Sequence, residues 1–102
     1  MKHVMIRYTL KPDESLDGLK DQIKTFVDGM KAASDKVHYT SYEIPDQERA
    51  FVHIGFFPDD DTLKDIQAQP FFGAFGGFLK GRCVDGPSVT WLSPVASTSC
   101  GG

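Results

Sequence analysis

The side chains best suited to moving protons are three histidines and three tyrosines. All six (His3, His38, His53, Tyr8, Tyr39 and Tyr42) fall in stretches that alternate like β-strands. Imidazole titrates near neutrality and can accept or release a proton there, and a phenol can pass one on. Alternation within each strand assigns Arg7 and His53 to one sheet face, where they can form a small polar site. The candidate catalytic residues are therefore His53, Arg7, Tyr8 and His38. The same residues also have structural readings. Arg7 and His53 would serve equally well as a hydrogen-bonded pair between two copies, and a strand tyrosine commonly packs.

Other chemistry finds less support. Cys83 stands beside Arg82, a setting that favours thiolate, but no His or Asn spacing accompanies it as it would a nucleophile. Cys83 and Cys100 are the only cysteines and form no CxxC or Cys/His pattern, so neither zinc nor an iron–sulfur cluster is expected. The run Asp59–Asp61 lacks the further ligands of a calcium loop and suits a helix N-terminus, where negative charge is favoured. The glycines of 73–77 lack the Lys-Ser/Thr ending of a phosphate loop. No metal site is predicted.

A chain of 102 residues with a net charge of −3 and 40% hydrophobic content is one ordinary globular domain. The acidic balance gives no attraction to nucleic acid or anionic lipid, and no apolar run approaches the roughly 20 residues of a membrane span. The opening MKHVMIRYTL is too short and too alternating for a signal peptide. A reduced, cytoplasmic protein is the expectation, with a domain over 1–95 and a loose tail over 96–102.

The elements that must position the candidates follow from periodicity. His3–Leu10 alternates, with Val4, Ile6, Tyr8 and Leu10 on one face. Leu16–Ala33 carries a helical stripe. Val37–Ile44 and Arg49–Phe57 are strands joined by the short turn Pro45-Asp46-Gln47-Glu48, hence a hairpin. A helix begins after Pro58, Pro70 breaks it, and a phenylalanine-rich helix spans 70–81 with Phe71, Phe75 and Phe78 in one stripe. Its glycines, Gly73, Gly76 and Gly77, are expected where another backbone comes close. Asp85-Gly86-Pro87 reads as a turn before a last strand over Val89–Val95.

The order β-α-β-β-α-β predicts an α+β, ferredoxin-like fold: a four-stranded antiparallel sheet with helices on one face. The cleaner apolar sets, Val4, Ile6, Tyr8 and Val52, Ile54, Phe56, are expected to face the helices. His3, Arg7, Phe51 and His53 would then lie on the other face. That second face is too apolar for water, so a homodimer packed sheet to sheet is expected. RNA-recognition motifs share this order, and Arg49–Phe56 keeps part of their third-strand signature. However, His53 replaces a stacking aromatic and the chain is acidic, so nucleic acid is not the expected partner.

From Phe57 to Val95, and more loosely throughout, the chain resembles the dimeric α+β barrel superfamily, its antibiotic biosynthesis monooxygenase-like proteins in particular. Phe57-Pro58-Asp59 after the third strand, a short helix, Pro70-Phe71-Phe72 with Phe75, and a final strand ending near Pro94-Val95 carry the resemblance. It implies dimers of ferredoxin-like subunits and, in several members, oxidation of quinol-like or polycyclic aromatic substrates by O₂ without a cofactor. The chain also departs from the pattern. Gly55 and Phe57 replace a frequent Glu-x-Trp, and 65–69 holds no histidine that would ligate haem.

Two functions follow. One is a cofactor-free monooxygenase-like enzyme with an apolar pocket between the sheet and the phenylalanine helix. Phe71, Phe75, Tyr8 and Trp91 would line that pocket, and a Tyr or His would take a proton from a phenol. The other is a non-catalytic dimer that binds a small apolar ligand or assembles with a partner.

Overall fold

The computed structural model describes residues 2–98. The end of the expected tail, with Cys100, lies outside the described residues. The order is β1 (Lys2–Leu10), α1 (Leu16–Ala33), β2 (His38–Glu43), β3 (Ala50–Phe57), α2 (Asp60–Gln67), α3 (Pro70–Leu79) and β4 (Cys83–Leu92). The four strands form one sheet in the order β2-β3-β1-β4, and each neighbouring pair is antiparallel. This is the ferredoxin-like α+β fold, with the helices over one face.

Local chemistry accounts for the helix ends. Ser15 caps α1, its Oγ accepting from the Gly18 N–H at 3.0 Å. Asp59 caps α2 by accepting from the Thr62 N–H at 2.7 Å, and these hydrogen bonds lower its pKa. Asp60 and Asp61 occupy the first turn, so the acidic run is helix-end electrostatics. Pro70 opens α3 at its first turn, where the missing N–H is not needed.

Leu19, Ile23, Phe26 and Met30 of α1 are buried against the sheet. Phe26 meets three rings of α3: Phe75 at 4.8 Å, Phe71 at 5.6 Å and Phe72 at 5.8 Å between centroids. Phe75 and Leu79 are the fully buried residues of α3, with Phe71, Phe72 and Phe78 half-buried around them.

Three expectations are corrected. The inward set of β3 is Phe51, His53 and Phe57, while Val52, Ile54 and Phe56 face away from the helices. Register decides this. Directly opposed residues of antiparallel strands share a face, and Tyr8 opposes Phe51 while Ile6 opposes His53. Two large aromatics, Phe51 and Phe57, thereby enter the core.

Second, Asp85-Gly86-Pro87 is not a turn before β4. It lies inside the strand, which starts at Cys83, where the β1–β4 register shifts between Arg7 and Thr9. This irregularity sits against the Tyr8 backbone. Gly86 has φ +78°, and a Cβ there would stand 2.5 Å from the Arg7 carbonyl oxygen and 3.1 Å from Tyr8 Cα.

Third, Gly73, Gly76 and Gly77 face open space, with nothing within 4 Å of a Cβ placed on any of them. The close approach occurs at Gly29 of α1, where a Cβ would meet the Phe71 ring at 2.7 Å.

These contrasts predict opposite outcomes at two glycines. Gly86→Ala combines an unfavourable φ with a backbone clash and should lower stability by roughly 1–3 kcal/mol. Gly76→Ala meets no neighbour and should raise it by about 1 kcal/mol through helix propensity. Urea unfolding of the two variants beside wild type measures both signs.

Candidate functional site

Register brings three proton-bearing side chains together on the inner face of the sheet. Tyr8 comes from β1, His53 from β3 and Tyr39 from β2. His53 is fully buried, at 0% exposure. Its Nε2 lies 2.9 Å from the Tyr8 hydroxyl and its Nδ1 lies 2.9 Å from the Tyr39 hydroxyl. Phe75 stacks on the imidazole at 5.5 Å, and Phe51 stacks on Tyr8 at 5.7 Å.

Gly55 makes the arrangement possible. It opposes Tyr39 across the β2–β3 pair, and a Cβ on it would lie 2.9 Å from the Tyr39 ring and 3.0 Å from Val4. Without that Cβ the Tyr39 ring lies down on the sheet and reaches the diagonal neighbour His53. Where the resembled pattern carries an acidic residue, this chain has a glycine with a tyrosine folded over it.

Burial sets the protonation. Desolvation lowers the His53 pKa from 6.5 to about 4, so the ring is neutral at neutral pH. A neutral imidazole has one N–H and one lone pair. One tyrosine therefore donates to it and the other accepts from it. Desolvation also raises both phenols above their ordinary value of 10, and Tyr8 is raised further by the neighbouring Tyr39 and Cys83. Neither phenol ionises near neutrality.

Beside this array lies a cleft of about 220 Å³ between the sheet and α2–α3. Val4, Ile6, Phe57 and Tyr39 form its sheet side. Leu63, Gln67 and Phe72 contribute from the helices, and Val89 and Trp91 from β4. Trp91 is 51% exposed at the open end. A second, more polar groove of about 470 Å³ runs between the end of α1 and β2, and it too has Tyr39 in its wall.

The sequence candidates separate accordingly. Tyr8 and His53 are hydrogen-bonded partners. Trp91 lines the cleft, together with Phe72 of α3. Phe75 packs on His53, and Phe71 packs towards α1 against Phe26. Arg7 is exposed on the other face, where its guanidinium donates to the Gln47 side chain. His38 is on that face as well, 5.8 Å from the Phe56 ring. Tyr39, one of the six proton-bearing side chains, and Gly55, noted only as a departure from the resembled pattern, were not among the candidate site residues. The legible signal was an isolated glycine inside a strand, which marks a close approach. Among the described residues no group of three or more His, Cys, Asp or Glu side chains could hold a metal ion, and no helix is long and apolar enough to cross a membrane.

The depressed His53 pKa makes stability depend on pH with a definite sign. Between about pH 4 and 6.5 the unfolded chain holds a proton on His53 that the folded chain does not, so stability rises with pH across that window. The His53 contribution is complete above pH 6.5 and falls away as pH drops through about 4. The loss is on the order of 3 kcal/mol. Urea unfolding at pH 7.5, above that window, and at pH 4.5, near its lower end, should show most of it in wild type, and His53→Gln should remove that part of the slope.

The fold is shared with solved structures at low sequence identity. A structure described as an antibiotic biosynthesis monooxygenase matches with TM-score 0.80 at 17% identity, over 94% of this chain and 100% of the other. A Mycobacterium tuberculosis protein matches with TM-score 0.81 at 19% identity, over 96% and 98%. SnoaB, a cofactor-independent oxygenase from Streptomyces nogalater, matches with TM-score 0.77 at 13% identity, over 95% of each chain. No protein-family model and no curated protein sequence matches this chain. The chain thus shares the α+β ferredoxin-like fold of these structures.

Proposed function

We propose that the chain is a cofactor-independent, monooxygenase-like protein that takes a small quinol or polycyclic aromatic into the cleft beside Tyr39. One observation supports this above the rest: Tyr39 is at once part of an apolar cleft wall and a hydrogen-bonding partner of a buried neutral histidine. A flat ring gains from burial against Phe72, Phe57 and Trp91. Its hydroxyl, placed at Tyr39, has a path for its proton through the Tyr39 oxygen to His53.

Burial lowers the His53 pKa to about 4, which fits a proton that leaves together with an electron and not before it. So weak a base does not ionise a resting phenol. The hydroxyl of a ring that has just lost an electron to O₂ is a far stronger acid, so the proton leaves with the electron. The ring radical and the reduced oxygen then combine at a ring carbon, and loss of water leaves a carbonyl. Overall, a CH₂ carbon (reacting as its phenol tautomer) and O₂ become C=O and H₂O.

The seal on His53 favours a second reading. Both ring nitrogens are occupied by tyrosine hydroxyls and the residue is fully buried. This is what a purely structural network in a ligand-binding protein requires. Oxygen uptake with a dihydroxynaphthalene or anthrone distinguishes the two. Enzyme action predicts protein-dependent uptake that falls about tenfold or more in Tyr39→Phe and His53→Gln and is unchanged in His38→Ala, whose side chain is on the other face. Thermal stabilisation by the aromatic with no oxygen uptake supports the binding reading. No stabilisation and no uptake would remove both.

The open face of the sheet supports a homodimer as the assembly. Met5, Val52, Ile54 and Phe56 share that face, with Leu92 40% and Tyr42 51% exposed beside them. Packing two such faces removes apolar surface that one chain leaves to water. Light scattering should give twice the chain mass for wild type and the monomer mass for Ile54→Lys. A wild-type monomer at micromolar concentration would exclude this assembly.

A further inference from the structure

The cleft wall is almost wholly hydrocarbon, and its few polar groups are not equivalent. The Tyr39 hydroxyl is engaged by His53. The Trp91 indole can only donate. Gln67, the last residue of α2, lines the cleft, and its side-chain amide makes no hydrogen bond to the described residues. It is the uncommitted group there that can both donate and accept.

We propose that Gln67 is a specificity-determining residue that binds a ring oxygen of the cleft ligand in both of its oxidation states. The inference rests on the reading of the cleft as an aromatic-ligand site. A quinol presents O–H donors, whereas a quinone presents bare acceptors. The Gln67 carbonyl oxygen accepts from the first and its NH₂ donates to the second, and rotation of the amide exchanges them. A carboxylate in this position would hold the quinol and repel the quinone oxygen, and a hydrocarbon would hold neither. Apart from the Tyr39 hydroxyl, already held by His53, and the donor-only Trp91 indole, the other wall residues grip the ring by apolar contact and do not distinguish an oxygenated ring from a plain one. The volume, about 220 Å³, lies below the roughly 300 Å³ at which drug-sized pockets begin. It therefore suits a ligand of about two fused rings.

Trp91, the chain's one tryptophan, lines the cleft and reports occupancy by its fluorescence. The probes are a dimethylnaphthoquinone whose blocked ring carbons cannot add to the Cys83 thiol, its quinol kept without oxygen, and dimethylnaphthalene. Wild type should bind the quinone and quinol about tenfold more tightly than the hydrocarbon. Gln67→Leu should lose most of that preference for both, Tyr39 being left in place, while binding the hydrocarbon unchanged. Gln67→Glu should keep the quinol and lose the quinone by about tenfold or more. Gln67 is exposed, and matching melting curves will verify that both variants fold. The inference is overturned, with the cleft still standing as a ligand site, if wild type binds the hydrocarbon as well as the quinone. The same holds if Gln67→Leu leaves quinone affinity within about twofold. Absence of saturable quenching by all three compounds overturns the cleft reading and the inference together.

Discussion

A neutral histidine held between two tyrosine hydroxyls is the constraint to which the rest of the inner sheet face conforms. Imidazole buried with one nitrogen unpaired would lose roughly 1–3 kcal/mol, so His53 can occupy the core only where both nitrogens find partners. Tyr8 supplies one from β1 and Tyr39 the other from β2, each at 2.9 Å. Three adjacent strands are thereby tied by side chains as well as by their backbone ladder. Gly55 follows from this requirement, since any side chain there would lift the Tyr39 ring from the sheet.

The aromatic packing above the array has a second consequence. Phe75 closes over His53, and Phe26 braces Phe75 from α1 while meeting the edge of Tyr39. Water is excluded from the imidazole by these rings, which is why its pKa falls to about 4. The chemistry open to the site is set by the same packing. A base this weak can take a proton only from a group made acidic during reaction, while the neighbouring cleft offers apolar surface and few polar contacts. A selective aromatic binder and an oxygen-dependent enzyme are close variants of one such site, separated by whether the proton ever leaves the ligand.

The site is built at the boundary between regular and irregular structure. Tyr8 lies beside the register shift of β1 against β4, where Gly86 approaches the backbone. Irregular pairing of this kind is common next to functional side chains because it re-aims them without breaking the strand. The glycines of α3, in contrast, serve no close contact. They leave a thin, smooth outer surface on a helix whose inner side is among the most densely aromatic parts of the molecule.

Element order was determined by the sequence alone. The alternation of 3–10, the stripe of Leu16–Ala33, the short Pro45–Glu48 connection and the break at Pro70 admit few arrangements other than β-α-β-β-α-β, and the right-handed crossover then puts the helices on one face of the sheet. The Phe-rich helix and the acidic N-terminus of α2 were legible for the same reason: each is a local property of neighbouring residues. Facing was not local. Both sides of β3 are apolar, so periodicity could not choose between Phe51, His53, Phe57 and Val52, Ile54, Phe56. Pairing with β1 chose, because a one-residue slip exchanges every side chain between faces. That choice alone moved His53 from the sheet face expected to meet a second copy to the centre of the core, joined it to Tyr8, and left Arg7 and His38 behind. Tyr39 joined them because a glycine on the neighbouring strand left room, a relation between two residues that only the folded chain brings into contact.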